Sequence, residues 1–113
     1  MTKLTFNDIK FGVHPIGMGI HGELKINDYT LSVIAGPGFY STFKSDAFDP
    51  QIHNVDDFSS FEIAVFNDDG YVTRKFFDDD HDNDVRGWLT RDEINDLIDR
   101  LYTADLINLV SNN

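Results

Sequence analysis

Apolar residues alternate with polar ones through most of the first two thirds of the chain, and they take up a helical spacing only near the end. A period of two is typical of strands, whereas an apolar stripe at i, i+3, i+4 and i+7 is typical of a helix packed on a core. Strands followed by one helix favour an α+β fold, with an antiparallel sheet of four to five strands and the C-terminal helix packed on one face. The 113 residues suffice for one core, so residues 1–113 are expected to form a single domain.

Two hairpins are predicted within this sheet. Residues 22–36 alternate as two strands joined at Asn27–Asp28, a pair that tolerates turn geometry. Residues 59–66, SSFEIAVF, form the clearest strand. Gly70 then closes a second turn into a return strand at residues 71–77, YVTRKFF. The strand residues expected to line the core are Phe61, Ile63 and Val65, with Glu62 and Ala64 on the opposite face.

The helix has a marked start and a single apolar stripe. Thr90 and Glu93 form a capping box, in which the hydroxyl and the carboxylate satisfy backbone donors at the helix start. The residues of the stripe are Ile94, Leu97, Ile98 and Leu101. Trp88 precedes the cap, and we expect it to pack in the core under the helix. The alternative is that Trp88 is an exposed anchor for a partner.

The charge of the chain restricts its partners. Twenty acidic residues oppose nine basic ones, which gives a formal net charge of -11. Residues 44–84 contain twelve acids and three bases and therefore hold most of that charge. Such a balance argues against direct binding to nucleic acid or to an anionic membrane, and it favours a protein partner with a basic surface, such as one that binds nucleic acid.

The densest acidic segment is the run at residues 78–84, DDDHDND. A solvated loop is the commonest meaning of such a run. Held near one end of the sheet with other acids, it would instead imitate the charge of a phosphate backbone. The residues predicted to bind the partner are Asp56, Asp57, Asp68, Asp69, Asp78, Asp79, Asp80, Asp82 and Asp84.

Residues 82–93, DNDVRGWLTRDE, are close to a calcium-binding loop of the helix-loop-helix type. Asp82 and Asp84 occupy the first and third ligand positions, and Glu93 occupies the final, bidentate position. Arg86 stands where the fifth position needs an oxygen ligand, and no helical pattern precedes the loop. A helix cap accounts for Glu93 equally well, so calcium binding is the weaker alternative.

Catalytic and cofactor motifs fail on inspection. The chain has no cysteine, which excludes disulfides and thiolate chemistry, and its four histidines lack the close spacing of metal ligands. Residues 17–22, GMGIHG, match a dinucleotide-binding fingerprint but lead into a strand, where that fingerprint needs a helix. We therefore expect a protein that is not an enzyme and holds no cofactor. No stretch approaches the about 20 apolar residues of a membrane-spanning helix, and a cytoplasmic location is expected.

Three segments of the chain contain a shared set of motif residues: Ser32, Val33, Gly38, Tyr40, Ser41, Glu62, Ala64, Asp84, Val85, Gly87 and Trp88. On these residues the chain resembles a group of small uncharacterised acidic accessory proteins of bacteriophages and other mobile elements. The resemblance implies a phage or prophage setting and assigns no catalytic residue. Many small acidic phage proteins block host defences, including CRISPR-Cas complexes, by occupying nucleic-acid-binding surfaces. The resemblance implies such a role for this chain only by analogy with that setting.

The predicted function is therefore that of a non-enzymatic phage-type protein. It would bind and inhibit a nucleic-acid-handling protein of the bacterial host through a negatively charged surface. Two alternatives remain open: a calcium-binding module that uses residues 82–93, and a structural or assembly protein of the phage.

Overall fold

The computed structural model describes residues 3–13, 19–36, 39–43, 55–77 and 84–111, with the backbone alone at Phe43 and residues 105–111. Within these ranges seven strands are formed: β1 (Gly12–Val13), β2 (Ile20–Ile26), β3 (Tyr29–Ala35), β4 (Thr42–Phe43), β5 (Phe58–Asn67), β6 (Gly70–Tyr71) and β7 (Arg86–Leu89). The helices there are three short 3-10 helices, η1 (Phe6–Asp8), η2 (Val55–Asp57) and η3 (Thr73–Phe76), and one α-helix, α1 (Arg91–Ser111).

Strand β5 is the centre of an antiparallel sheet. The order β1-β2-β3-β5 is antiparallel throughout, and β4, β7 and β6 each pair with a successive part of β5. Three of the seven strands have only two residues, so the sheet depends mainly on β2, β3, β5 and β7. The predicted α+β fold, an antiparallel sheet with a C-terminal helix on one face, is confirmed.

The first hairpin forms as predicted. Strands β2 and β3 pair from Ile20 opposite Ala35 to Ile26 opposite Tyr29, and Asn27–Asp28 makes the two-residue turn. Asn27 has a φ of 56°, the left-handed conformation that asparagine tolerates better than most residues. The hydrophobic period of two and the turn chemistry specify the same register, so the prediction needed no information from distant residues.

The core lies between one face of the sheet and α1. Both predicted sets are buried there: Phe61, Ile63 and Val65 from β5, and Ile94, Leu97, Ile98 and Leu101 from the helix. The helix starts with the predicted capping box, since the Thr90 backbone N–H donates to Glu93 Oε1 at 3.0 Å and the Glu93 N–H donates to Thr90 Oγ1 at 3.2 Å.

Gly22 allows the N-terminal segment to pack closely against β2. Gly22 lies within β2, and a Cβ atom there would stand 2.5 Å from Cγ2 of Ile9. The segment that matched a nucleotide fingerprint therefore leads into a strand, as its alternation predicts, and at least one of its glycines is required by close contact with the N-terminal segment. That segment is attached to α1 as well, because the Phe6 N–H donates to Asn95 Oδ1 at 2.8 Å.

The second hairpin departs from prediction after its turn. Gly70 has a φ of 117° and pairs with Asn67, as expected, but the return strand is only Gly70–Tyr71 and η3 follows it. The predicted strand at residues 71–77 is wrong. Thr73 Oγ1 accepts from the Val65 N–H at 2.9 Å and donates to the Asp84 carbonyl at 2.6 Å. The Thr73 hydroxyl takes the place of a backbone acceptor for the Val65 N–H, and the chain leaves the sheet here. It pairs with β5 again as β7, nearer the start of β5, at Phe61 and Ile63.

Candidate protein-binding surface

The predicted acidic residues are divided between the two ends of β5. Asp56 and Asp57 lie in η2, directly before β5, whereas Asp68 and Asp69 form the turn directly after it. A strand rises about 3.3 Å per residue, so the ten residues of β5 separate the two pairs by about 30 Å. The expectation that these acids gather near one end of the sheet is wrong. Asp56 is also partly neutralised, because Arg91 Nη2 lies 3.0 Å from its Oδ1.

The acidic run is attached to the body of the protein on both sides. Before it, two guanidinium groups lie over the Phe77 ring, that of Arg86 at 4.8 Å and that of Arg100 at 5.5 Å from the ring centroid. After it, the Asp84 carbonyl is held by Thr73, which also bonds β5 three residues before the Asp68 turn. The four other predicted residues of the run, Asp78, Asp79, Asp80 and Asp82, lie outside the described residues.

The exposed charges described near the end of β5 are of both signs. The exposed acids near the end of β5 are Asp28, Asp68 and Asp69. The exposed bases near the same end are Lys25, Arg74 and Lys75, and exposed Arg100 donates to the Phe76 carbonyl of η3. The described charges near this end therefore show no negative excess, and the densest acidic segment of the sequence is the run at residues 78–84.

Several residues of the hypothetical calcium-binding loop have structural roles. Glu93 caps α1, and Arg86–Leu89 pairs with β5 as strand β7. The segment before the run is a single turn of 3-10 helix at Thr73–Phe76, where a calcium-binding helix-loop-helix has a full helix. Among the described residues no three histidine, aspartate or glutamate side chains come together. Calcium binding at Asp82, Asp84 and Glu93 stays a prediction, since Asp82 lies outside the described ranges.

Trp88 is exposed, so its predicted place in the core is wrong. Three steps of β7, from Arg86 to Leu89, stand opposite two steps of β5, which makes a bulge at residues 87–88. Trp88 has a φ of 57° and is 60% exposed, while its neighbour Leu89 is buried beside the helix start. Tyr40 holds it there: its carbonyl accepts from the Trp88 N–H at 2.9 Å, and the two ring centroids are 5.0 Å apart.

A buried carboxylate lies on the sheet face that α1 leaves uncovered. Glu62 is in the middle of β5 with its side chain on the face opposite the core, as predicted, yet it is only 8% exposed. Its Oε1 accepts from the Tyr40 N–H at 3.1 Å. Sequence reasoning did not select Glu62 as a site residue, although a glutamate among the apolar residues of positions 61–66 was the available signal.

A shallow groove opens beside Glu62. It has a volume of about 200 Å³, and its lining residues include His21, Ser32, Ile34, Glu62, Ala64 and Tyr71. His21, Ile34 and Glu62 stand opposite one another on three adjacent strands, which explains their common face. Tyr71 is 59% exposed, and its ring meets that of Phe66 edge-on with centroids 5.9 Å apart.

Comparison of the chain with protein families, curated proteins and solved structures finds no match. Among the described residues no helix is both long and apolar enough to cross a membrane.

Proposed function

We propose that this chain is a non-enzymatic inhibitor of phage or mobile-element type, which binds a nucleic-acid-handling protein of the bacterial host. The proposed target is a defence complex, such as CRISPR-Cas. The observation that carries the proposal is the run of five aspartates at residues 78–84, joined to the body of the protein at Phe77 and Asp84. The inhibitor would occupy the basic surface on which the target holds DNA or RNA.

The contacts on both sides of the run support this proposal. A segment whose two ends are held by the body of a protein loses less conformational freedom on binding than one whose ends are free. Its aspartates are acceptor-only groups with negative charge, as are the phosphates that a nucleic-acid-binding groove recognises. A strong local field of this sign raises association rates with a basic partner by roughly 10- to 1,000-fold at low salt.

The test compares two variants with equal net charge. The first replaces Asp78, Asp79, Asp80 and Asp82 by Asn, which removes four charges from the run. The control removes four charges from exposed acids elsewhere, by Glu23→Gln, Asp92→Asn, Asp96→Asn and Asp99→Asn. A target is captured from a bacterial lysate on the immobilised wild-type chain, and its association rate with each variant is measured from low to high salt.

We expect the run variant to lose most of the electrostatic rate gain, about tenfold or more at low salt, and the control to keep most of it. Circular dichroism should show the same fold for both variants, because neither removes a residue of the core. Equal rates and equal salt slopes for the two variants would show that only net charge matters, and the run would then be a solvated loop.

A further inference from the structure

The Glu62 carboxylate has more hydrogen-bonding capacity than its surroundings use. A carboxylate offers about four acceptor sites on two oxygens, and the bond from the Tyr40 N–H occupies one of them. Within the part of the chain that the structure describes, no lysine or arginine pairs with Glu62. Burial of a charged group without a counter-charge is costly, so a cationic partner from outside would be favoured at this position.

The groove next to Glu62 fits one side chain. Its volume, about 200 Å³, is below the about 300–1,000 Å³ of pockets for drug-sized ligands and cofactors. Ile34 and Ala64 give it an apolar floor against which an aliphatic stem can pack. Tyr71 gives it an exposed aromatic face, held in place by its edge contact with Phe66.

We infer that this groove receives an arginine side chain from the protein partner. The carboxylate of Glu62 would accept hydrogen bonds from the guanidinium, and the Tyr71 ring would stack against its plane. Arginine suits the site better than lysine, because its planar fork binds a carboxylate through two parallel bonds and stacks on aromatic rings. The negative charge of Glu62 makes the groove unsuitable for an anion.

This inference deepens the proposed function, since it rests on a basic partner and assigns a specific contact to it. The acidic run would supply long-range attraction, which depends on salt and sets the association rate. The groove would supply a short-range contact, which sets the dissociation rate and depends less on salt. The two contributions can therefore be separated.

The test uses a peptide probe and needs no host protein. The ¹⁵N-labelled chain is titrated with acetyl-Gly-Arg-Gly-amide and followed by NMR, with the citrulline and lysine analogues of that peptide as controls. Citrulline has nearly the shape of arginine without its charge. We expect millimolar binding of the arginine peptide with amide shifts centred on Glu62, Ala64 and Tyr71, weaker binding of the lysine peptide, and no binding of the citrulline peptide.

Substitutions then assign the two contacts. Glu62→Gln keeps the acceptor for the Tyr40 N–H and should weaken arginine binding about tenfold or more, since bonds between charged groups are among the strongest. Tyr71→Leu should weaken it about two- to fivefold, and Tyr71→Phe, which keeps the ring, should not. Glu23→Gln is the matched control, because Glu23 is an exposed carboxylate on the same sheet face outside the groove.

Shifts elsewhere on the surface, equal binding of the citrulline or lysine peptide, or full binding by Glu62→Gln would each overturn the arginine site. Failure to capture a host protein would instead contradict the proposed function and leave the peptide result standing. The two ideas therefore fail separately.

Discussion

The substitution Thr73→Val tests how the chain is held where it leaves the sheet. Thr73 is buried, and its hydroxyl joins β5 to the residue that ends the acidic run. Valine has nearly the shape of threonine but cannot form hydrogen bonds, so the change removes those bonds while it leaves packing almost intact.

The cost can be worked out from the two bonds. The Val65 N–H would be left without an acceptor in a buried strand, which costs about 1–3 kcal/mol. Loss of the bond to the Asp84 carbonyl adds about 0.5–1.5 kcal/mol. We expect a loss of about 1.5–4.5 kcal/mol in the free energy of unfolding, or about 6–18 °C in Tm for a domain of this size.

Urea and thermal unfolding measure this difference directly. Thr103→Val is the matched control: the Thr103 hydroxyl is exposed and bonds only carbonyls of its own helix, so we expect a change within about 0.5 kcal/mol. Thr73→Ser keeps the hydroxyl and should recover most of the stability lost in Thr73→Val. If Thr73→Val unfolds like the wild type, the hydroxyl does not hold this junction and our explanation of the shortened return strand is refuted.

Three further outcomes follow from the fold. Leu97 is fully buried, so Leu97→Asp should cost at least about 3 kcal/mol and abolish cooperative unfolding; a melting curve like that of the wild type would contradict the packing of α1 on the sheet. Trp88→Gly should change stability by no more than about 1 kcal/mol, because Trp88 is exposed and glycine relieves its positive φ, whereas a core tryptophan would cost about 3–5 kcal/mol. Micromolar calcium should leave Tm unchanged; a calorimetric Kd below about 10 μM that Glu93→Gln abolishes would establish the calcium loop instead.

Features fixed by neighbouring residues were the ones that sequence reasoning predicted correctly. Three such features are the turn at Asn27–Asp28, the cap at Thr90 and Glu93, and the apolar stripe of α1. Each depends on residues that are close together in the sequence. Hydrophobic period and turn chemistry agree in these segments, and such agreement is sufficient to specify an element.

The errors arose where distant residues decide the structure. Residues 71–77 alternate well enough for a strand, but the Thr73 hydroxyl bonds Val65 and Asp84 and removes the chain from the sheet. Trp88 is a large apolar residue of the kind that usually packs in a core. The bulge in β7 and the hydrogen bond from the Trp88 N–H to the Tyr40 carbonyl turn its side chain outward. Neither set of hydrogen bonds is indicated by the residues that neighbour Thr73 or Trp88 in the sequence.

The layout of the candidate surface could be predicted only in part. The acidic composition of residues 44–84 is visible in the sequence, yet the length of β5 decides that Asp56 and Asp68 lie about 30 Å apart, at its two ends. The groove at Glu62 and Tyr71 is formed by strands whose pairing brings together residues distant in sequence. Composition is therefore the basis of our proposal about the kind of partner, and the sheet register is the basis of our proposal about where a specific contact is made.

Competition between the chain and nucleic acid for the captured target is the most direct test of the account. A fluorescent DNA or RNA bound to the target is titrated with the wild-type chain, and its release is followed by anisotropy at several salt concentrations. We predict full displacement, with an apparent affinity for the chain that falls as unlabelled nucleic acid is added, since both ligands require the same basic surface. A ternary complex, in which the nucleic acid stays bound while the chain saturates the target, would contradict the claim that the acidic run takes the place of a phosphate backbone.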